Sequence, residues 1–289
     1  MLSGIAFAEN LCIFILWIVT VVLVLLICKQ KSPKRIYLDS PPLAFVLLST
    51  VLLALAYIVM LVPWLTFSSG WIHPDKQLVK ATYILGVIMV CTRALYDLAT
   101  LALFLQRIFI LAYPTRPRNV VSLSLVGAAV LIEMVIVAEL FMGYVPTALL
   151  DESPIPEGCF SFLCLPQDRC SKFYTVTVRF TLSILILLIG SVFLVMFRKR
   201  RLTTTNSMET KFYALMRCFF YLRIILEVAP FSVEFTLAKT TDISIAYYLG
   251  PYGAVGNAID ALFCTLLYYR IVKPKKGVKT SFVFSVRAK

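Results

Sequence analysis

Charged residues inside long apolar stretches are the feature of this sequence best suited to chemistry. A charge at membrane depth is costly, so these groups should face a bundle interior or a wet cavity and find partners. They could line a ligand pocket, form a proton relay, or make ion pairs that only fix helix packing. They are Arg93, Asp97 and Arg107 in the third stretch, Glu133 and Glu139 in the fourth, Arg179 in the fifth, Arg217, Arg223, Glu227 and Glu234 in the sixth, and Asp260 in the seventh.

Two acid–base pairs have a spacing that places both members on one helix face. Arg93 and Asp97 are four residues apart, and Arg223 and Glu227 repeat that spacing. Arg179, near the outer end of its stretch, could instead extend to the lipid headgroups. The residues that we expect to contribute to a ligand site are Arg93, Asp97, Arg179, Glu227 and Glu234.

The residue inventory argues against most membrane enzymes. His73 is the only histidine, whereas zinc and haem sites are built from several ligands. The sequence has no glycine-rich phosphate loop, and nothing specific supports a carboxylate-pair hydrolase. We therefore expect no catalytic residues, no metal and no cofactor.

The elements that must position these charges are membrane helices. Apolar residues make up 60% of the 289-residue chain, too much for a soluble domain of this length to hide. Lipid requires every backbone polar group to be satisfied within a helix or a closed barrel, and runs of about twenty apolar residues indicate helices. The predicted fold is an all-α, seven-transmembrane bundle over residues 1–272, followed by a short basic tail, 273–289. The predicted spans are about 5–28, 42–66, 79–112, 121–144, 173–197, 212–236 and 246–270.

The distribution of positive charge predicts the orientation. With the N-terminus outside, the predicted cytoplasmic segments hold eighteen Lys and Arg residues and the predicted outer loops hold five. Such an excess marks cytoplasmic loops. The N-terminus is therefore predicted to be extracellular and the C-terminus cytoplasmic.

The long outer loop, from about residue 146 to 172, contains three cysteines. An oxidising exterior would allow one disulfide within it. Three cysteines leave one unpaired, and the sequence does not assign the pair. The three are Cys159, Cys164 and Cys170.

Three local motifs accompany the seven spans. Gln106-Arg107-Ile108, with Tyr113-Pro114 after it, ends the third span. Pro230 lies inside the sixth span, and Asp260-Ala261-Leu262 precedes Tyr268-Tyr269-Arg270 in the seventh. Arg107 alone could simply extend to the cytoplasmic headgroups, or it could be a switch residue released toward a cytoplasmic partner.

With these motifs, the chain resembles the G-protein-coupled receptors, and among them the nematode serpentine chemoreceptors. The first motif is similar to the acidic-Arg-aromatic motif that ends the family's third helix, with Gln106 in place of the acid and Ile108 in place of the tyrosine. Pro230 falls where the family bends its sixth helix. Asp260-Ala261-Leu262 and Tyr269-Arg270 look like the Asp-Pro-Leu and Tyr-Arg ending of nematode seventh helices.

The chain departs from the wider class in three ways. No cysteine lies near the start of the third span, so the usual bridge to the second outer loop is not expected. The second span lacks the acidic residue that binds sodium in many members. The seventh span has no lysine, which argues against a retinal Schiff base.

The resemblance implies a mechanism. A small molecule enters from outside, binds among spans three, five, six and seven, and shifts the populations of helix arrangements. The inner ends of spans five and six then open a cleft for a heterotrimeric G protein. The implied location is the plasma membrane, including that of a sensory cilium. The lipid bilayer surrounds the chain there, and no nucleic acid is expected as a partner. The activation switch would comprise Arg107, Pro230, Asp260 and Tyr269. The G-protein-facing residues would be Arg116, Arg118, Arg198, Lys199, Arg200 and Arg201.

Two other classes stay open. A transporter or channel could use the pairs Arg93–Asp97 and Arg223–Glu227 as a proton or substrate path. The odd number of spans, the short loops and the absence of internal repeats argue against it. A structural membrane protein would need none of the charged pairs.

Overall fold

The computed structural model describes residues 2–71, 76–113, 118–150, 169–200, 207–230, 232–233, 236 and 252–273. These ranges are helical apart from short turns. The helices are α1 (Leu2–Gln30), α2 (Pro33–Asp39), α3 (Pro41–Ser68), α4 (Lys76–Ala112), α5 (Arg118–Leu150), α6 (Arg169–Arg200), α7 (Ser207–Arg223) and α8 (Tyr252–Val272). A π-helical turn, Ile224–Val228, continues α7.

Six of these helices are long and apolar enough to cross a membrane, which makes the chain a multi-pass helical membrane protein. They contain the segments Gly4–Gln30, Pro41–Ser68, Gln77–Ala112, Asn119–Tyr144, Thr177–Lys199 and Gly253–Val272. The predicted sixth span, 212–236, corresponds to α7 and the π-helical turn that follows it. The helix α7 itself has 17 residues. The count of seven spans and the orientation therefore stay predictions.

Proline and glycine set several helix ends. Pro33 and Pro41 open α2 and α3, a position where the missing N–H costs nothing. As the sequence predicts, α4 stops at Ala112, just before Tyr113-Pro114. At the end of α3, Gly70 has a φ of +74°, and Gly70 and Trp71 donate their N–H groups to the carbonyls of Phe67 and Thr66. This is the glycine-dependent C-cap of a helix.

The centre of the bundle is α4, which packs against α3, α5 and α6. Its 37 residues extend roughly 55 Å at about 1.5 Å per residue, longer than a hydrocarbon core of about 30 Å. The helix must therefore tilt or project beyond the membrane. On the other side of the bundle, α1 packs against both α3 and α8.

The outer surfaces of the helices are apolar. On α5, Leu131, Met134, Val135 and Met142 are each more than three-fifths exposed. Large apolar side chains on an outer face would be unfavourable in water and are favourable against lipid tails.

Candidate functional site

The Arg223 guanidinium is the centre of a buried charged network. Its side chain is 1% exposed, and it reaches two carboxylates on two other helices. Nη1 donates to Oδ1 of Asp97 on α4, and Nε donates to Oδ2 of Asp260 on α8 at 3.1 Å. Nη2 donates to the hydroxyl of Thr100 at 3.3 Å. Arg223 therefore joins α7 to α4 and α8.

Tyr96, one residue before Asp97, supports the same network. Its hydroxyl donates to Oδ2 of Asp260 at 3.3 Å. Its ring centroid lies 4.7 Å from the guanidinium carbon of Arg223 and 5.5 Å from that of Arg93. A guanidinium at this distance is attracted to the face of the ring.

Arg93 completes the charge balance. Its Nε lies 3.3 Å from Oδ2 of Asp97, so the pair that shares one face of α4 is present as an ion pair. Two arginines and two aspartates give the network no net charge, which buried ions require. We call Arg93, Tyr96, Asp97, Thr100, Arg223 and Asp260 the Arg223 cluster.

Two further groups lie beside the Arg223 cluster. The Sγ of Cys264 is 3.6 Å from Oδ1 of Asp260, within reach of a weak S–H hydrogen bond. Glu133 on α5 is 7% exposed, and its charge interacts with that of Asp97. Glu133 thus adds a further carboxyl group near Asp97.

The sequence did not single out Arg223 as a site residue. It suggested Glu227 as its partner, but the side chain of Glu227, in the π-helical turn, lies outside the described residues. The two carboxylates that Arg223 does bind are 126 and 37 residues away in the chain. Such partners have no signature in the spacing of charges.

The other predicted ligand-site residues are less completely described. Arg179, on α6, is half-buried, and its Nη2 would be 3.8 Å from a Cβ placed on Gly253 in the first turn of α8. Arg179 therefore extends toward α8. Glu234 lies outside the described residues.

The end of α4 carries a second polar contact, one residue before Arg107. The buried Gln106 accepts a hydrogen bond from Ser40, between α2 and α3, at 2.8 Å. Its amide nitrogen donates to the hydroxyl of Ser122 on α5 at 2.7 Å. Arg107 itself is half-buried. Gln106 therefore fixes the position of the segment that presents Arg107.

Among the predicted G-protein-facing residues, those that the structure describes lie at helix ends. Arg118 is the first residue of α5, Arg200 is the last of α6, and Arg198 and Lys199 are exposed. Tyr269, a predicted switch residue, lies near the end of α8, with Nζ of Lys273 5.7 Å from its ring centroid. Outside the described residues lie Arg116, Arg201, Cys159, Cys164 and the side chain of Cys170.

The π-helical turn follows from Pro230 and contacts α8. Proline has no N–H, so Pro230 cannot donate to the carbonyl of Leu226 four residues earlier. That carbonyl oxygen instead faces Gly256 on α8, where an added Cβ would overlap it. π-helical turns are frequent at functional sites. Here the turn lies directly after Arg223.

We predict that Gly256→Ala destabilises the protein by about 1–3 kcal/mol, because the new methyl group cannot enter without moving the backbone of the π-helical turn. Gly253→Ala, one turn earlier, is the matched control, since its Cβ would meet nothing closer than Arg179 Nη2 at 3.8 Å. The control should be neutral or slightly stabilising, because alanine favours helix by about 1 kcal/mol. Thermal unfolding in detergent measures both. Equal effects of the two variants would contradict the close contact.

Comparison with known proteins adds no family to this description. No family model matches the chain. No curated protein matches it either. What the sequence and structure establish together is a multi-pass helical membrane protein with a charge-balanced cluster buried among α4, α7 and α8.

Proposed function

We propose that the chain is a G-protein-coupled receptor that binds an extracellular small molecule in a chemosensory role. The ligand would bind among the third, fifth, sixth and seventh spans and activate a heterotrimeric G protein at the plasma membrane. The observation that carries the proposal is the Arg223 cluster, because it ties the predicted sixth span, whose inner end would move in a receptor of this kind, to the predicted third and seventh spans.

The Arg223 cluster can act as a lock, in the sense that its ion pairs hold α4, α7 and α8 together in one arrangement of the helices and are broken in another. In the described arrangement, the two aspartates hold Arg223 between α4 and α8. Breaking a buried ion pair is costly unless another charge replaces the lost partner. A ligand with a carboxylate or an ammonium group could supply that charge, so it would bind the unlocked arrangement better and shift the population toward it.

The C-terminal end of α4, beyond the Arg223 cluster, would carry the response. Gln106 holds this end against Ser40 and Ser122, and Arg107 follows it directly. Displacement of α7 after the lock opens would expose Arg107 and the basic end of α6 to the G protein. Pro230 and its π-helical turn provide the hinge, since the helix already departs from α-geometry there.

A G-protein activation assay in cells expressing the chain, challenged with a broad mixture of small molecules, tests the proposal. We expect a response, and we expect Asp97→Asn to change its concentration dependence by removing one charge of the lock. Glu139→Gln, an exposed acid on α5, is the matched control and should leave the response unchanged. Identical responses from wild type and Asp97→Asn would show that the Arg223 cluster takes no part in ligand recognition.

A transporter is the second candidate, and one observation favours it. Three carboxyl groups, those of Asp97, Asp260 and Glu133, lie in or beside the buried cluster, as in a proton or substrate path. Proton-coupled flux across proteoliposomes that is lost in Glu133→Gln would support transport. A receptor needs no such flux.

A further inference from the structure

Glu133 is an acid on the inner, otherwise apolar stripe of α5. It lies near the middle of the apolar segment Asn119–Tyr144. Around it the buried positions of α5 recur every three or four residues, and they are Ala129, Ile136 and Leu140. The residues on either side of it, Ile132 and Met134, are at least half exposed. The carboxyl group of Glu133 therefore points into the bundle and away from lipid.

The described part of the chain offers Glu133 no partner of opposite charge. No Lys or Arg side chain forms an ion pair with it among the residues that the structure describes. Its Oε2 atom is buried and accepts no hydrogen bond from a described residue. An ionised carboxylate in this position would be unpaired and largely shielded from water, which is costly for a buried charge.

The helix α5 packs against α4, and the groups of α4 near Glu133 do not neutralise it. Asp97 and Cys91 both lie within electrostatic range of the Glu133 carboxyl group. One is an acid and the other a thiol, so neither supplies positive charge. Arg93, between them in the chain, forms its ion pair with Asp97.

The other helices that pack against α5 are α3 and α6. The sequence of α3 has no acidic or basic residue, and its Tyr57 contacts α1 and α8 through Trp17 and Asn257. On α6, the Arg179 side chain extends toward α8, and Arg198 and Lys199 are exposed at the end of the helix. No charged group of α3 or α6 among the described residues therefore compensates Glu133.

The Arg223 cluster is already neutral without Glu133. Asp97 and Asp260 balance its two arginines. An ionised Glu133 would add an uncompensated negative charge beside Asp97, and two carboxylates at close range repel each other. A proton on Glu133 removes both the unpaired charge and the repulsion.

We propose that Glu133 is a proton-binding site and that the bound proton stabilises the described packing of α5 against α4. The bound form is the neutral carboxylic acid. On release, the O–H bond breaks, the proton passes to water, and the electron pair stays on the carboxylate. Because the described arrangement binds the proton, a rise in pH favours any arrangement in which Glu133 reaches water. The site follows from burial and charge, and it does not depend on the receptor function.

Infrared spectroscopy of the purified protein in detergent tests the site, because a protonated carboxyl group absorbs at a higher frequency than a carboxylate. We expect a protonated-acid band at neutral pH that is absent from Glu133→Gln. Asp39→Asn is the matched control, since the Asp39 side chain is 33% exposed and pairs with Lys31. The control should lose a carboxylate signal and keep the protonated-acid band. A wild-type spectrum without that band, or a band that Glu133→Gln leaves intact, would overturn the proposal.

The pH dependence of thermal unfolding is the second measurement. Glutamine keeps the shape of the neutral acid and cannot ionise, so Glu133→Gln should have a melting temperature close to that of wild type at neutral pH. At alkaline pH the wild type should melt below Glu133→Gln, because loss of the proton leaves an unpaired buried carboxylate. A difference between the two melting temperatures that stays constant with pH would contradict the site.

A conservative variant keeps the test decisive if Glu133→Gln does not fold. Glu133→Asp retains the acid in a slightly different position, so it should shift the frequency of the protonated-acid band. A band that Glu133→Asp leaves at the wild-type frequency would belong to another residue and would overturn the assignment.

Discussion

Arg223→Met should destabilise the protein strongly, by about 3–5 kcal/mol. The substitution removes a guanidinium that is 1% exposed and leaves the Asp97 and Asp260 carboxylates buried. Asp97 keeps Arg93 as an ionic partner, whereas Asp260 loses the ion pair with Arg223 and retains hydrogen bonds from Tyr96 and Cys264. Thermal and denaturant unfolding in detergent measure the loss.

Two comparisons isolate the cause of that loss. Lys31 and Asp39 form an ion pair with side chains 26% and 33% exposed, so Lys31→Met should cost no more than about 1 kcal/mol. The double variant Arg223→Met with Asp260→Leu removes one charge of each sign, and it should be more stable than Arg223→Met alone. A double variant that is less stable than the single one would contradict a charge-balanced cluster.

Arg107→Ala should abolish G-protein coupling while leaving the chain at the cell surface. The expectation rests on the proposed receptor function, in which Arg107 contacts the G protein after the helices move. Gln106, which holds this end of α4 through Ser40 and Ser122, is retained in the variant, so the fold should survive. Second-messenger output measures coupling, and surface labelling measures expression.

Arg35→Ala is the matched control for that experiment. Arg35 is an exposed arginine on α2, and α2 follows the end of α1 that is predicted to be cytoplasmic. Loss of a generic positive charge at this end should not affect coupling. Full coupling by Arg107→Ala would contradict the switch role of Arg107. An equal loss of coupling in Arg35→Ala would contradict it as well.

The helices and one local ion pair could be predicted from the sequence. Apolar runs of about twenty residues identify membrane helices because a helix satisfies its own backbone polar groups in lipid, and Pro114 predicts the end of α4. Arg93 and Asp97 are four residues apart on one helix, so helix geometry alone brings them together.

The partners of Arg223 could not be predicted, because they depend on how α4, α7 and α8 pack. The spacing within the sixth span pointed to Glu227, while the structure brings Asp97 and Asp260 to Arg223 from other helices. The π-helical turn could not be predicted from the sequence either. Pro230 indicates a disturbed helix, but only the approach of Gly256 shows where the freed Leu226 carbonyl goes.

Reconstitution of the purified protein in proteoliposomes with a purified heterotrimeric G protein tests the central claim most directly. Nucleotide exchange on the G protein and flux of protons and solutes would be followed in the same vesicles, challenged with the same mixture of small molecules. The receptor account predicts ligand-dependent nucleotide exchange without flux. Flux that depends on Asp97, with no nucleotide exchange, would contradict it and identify a transporter.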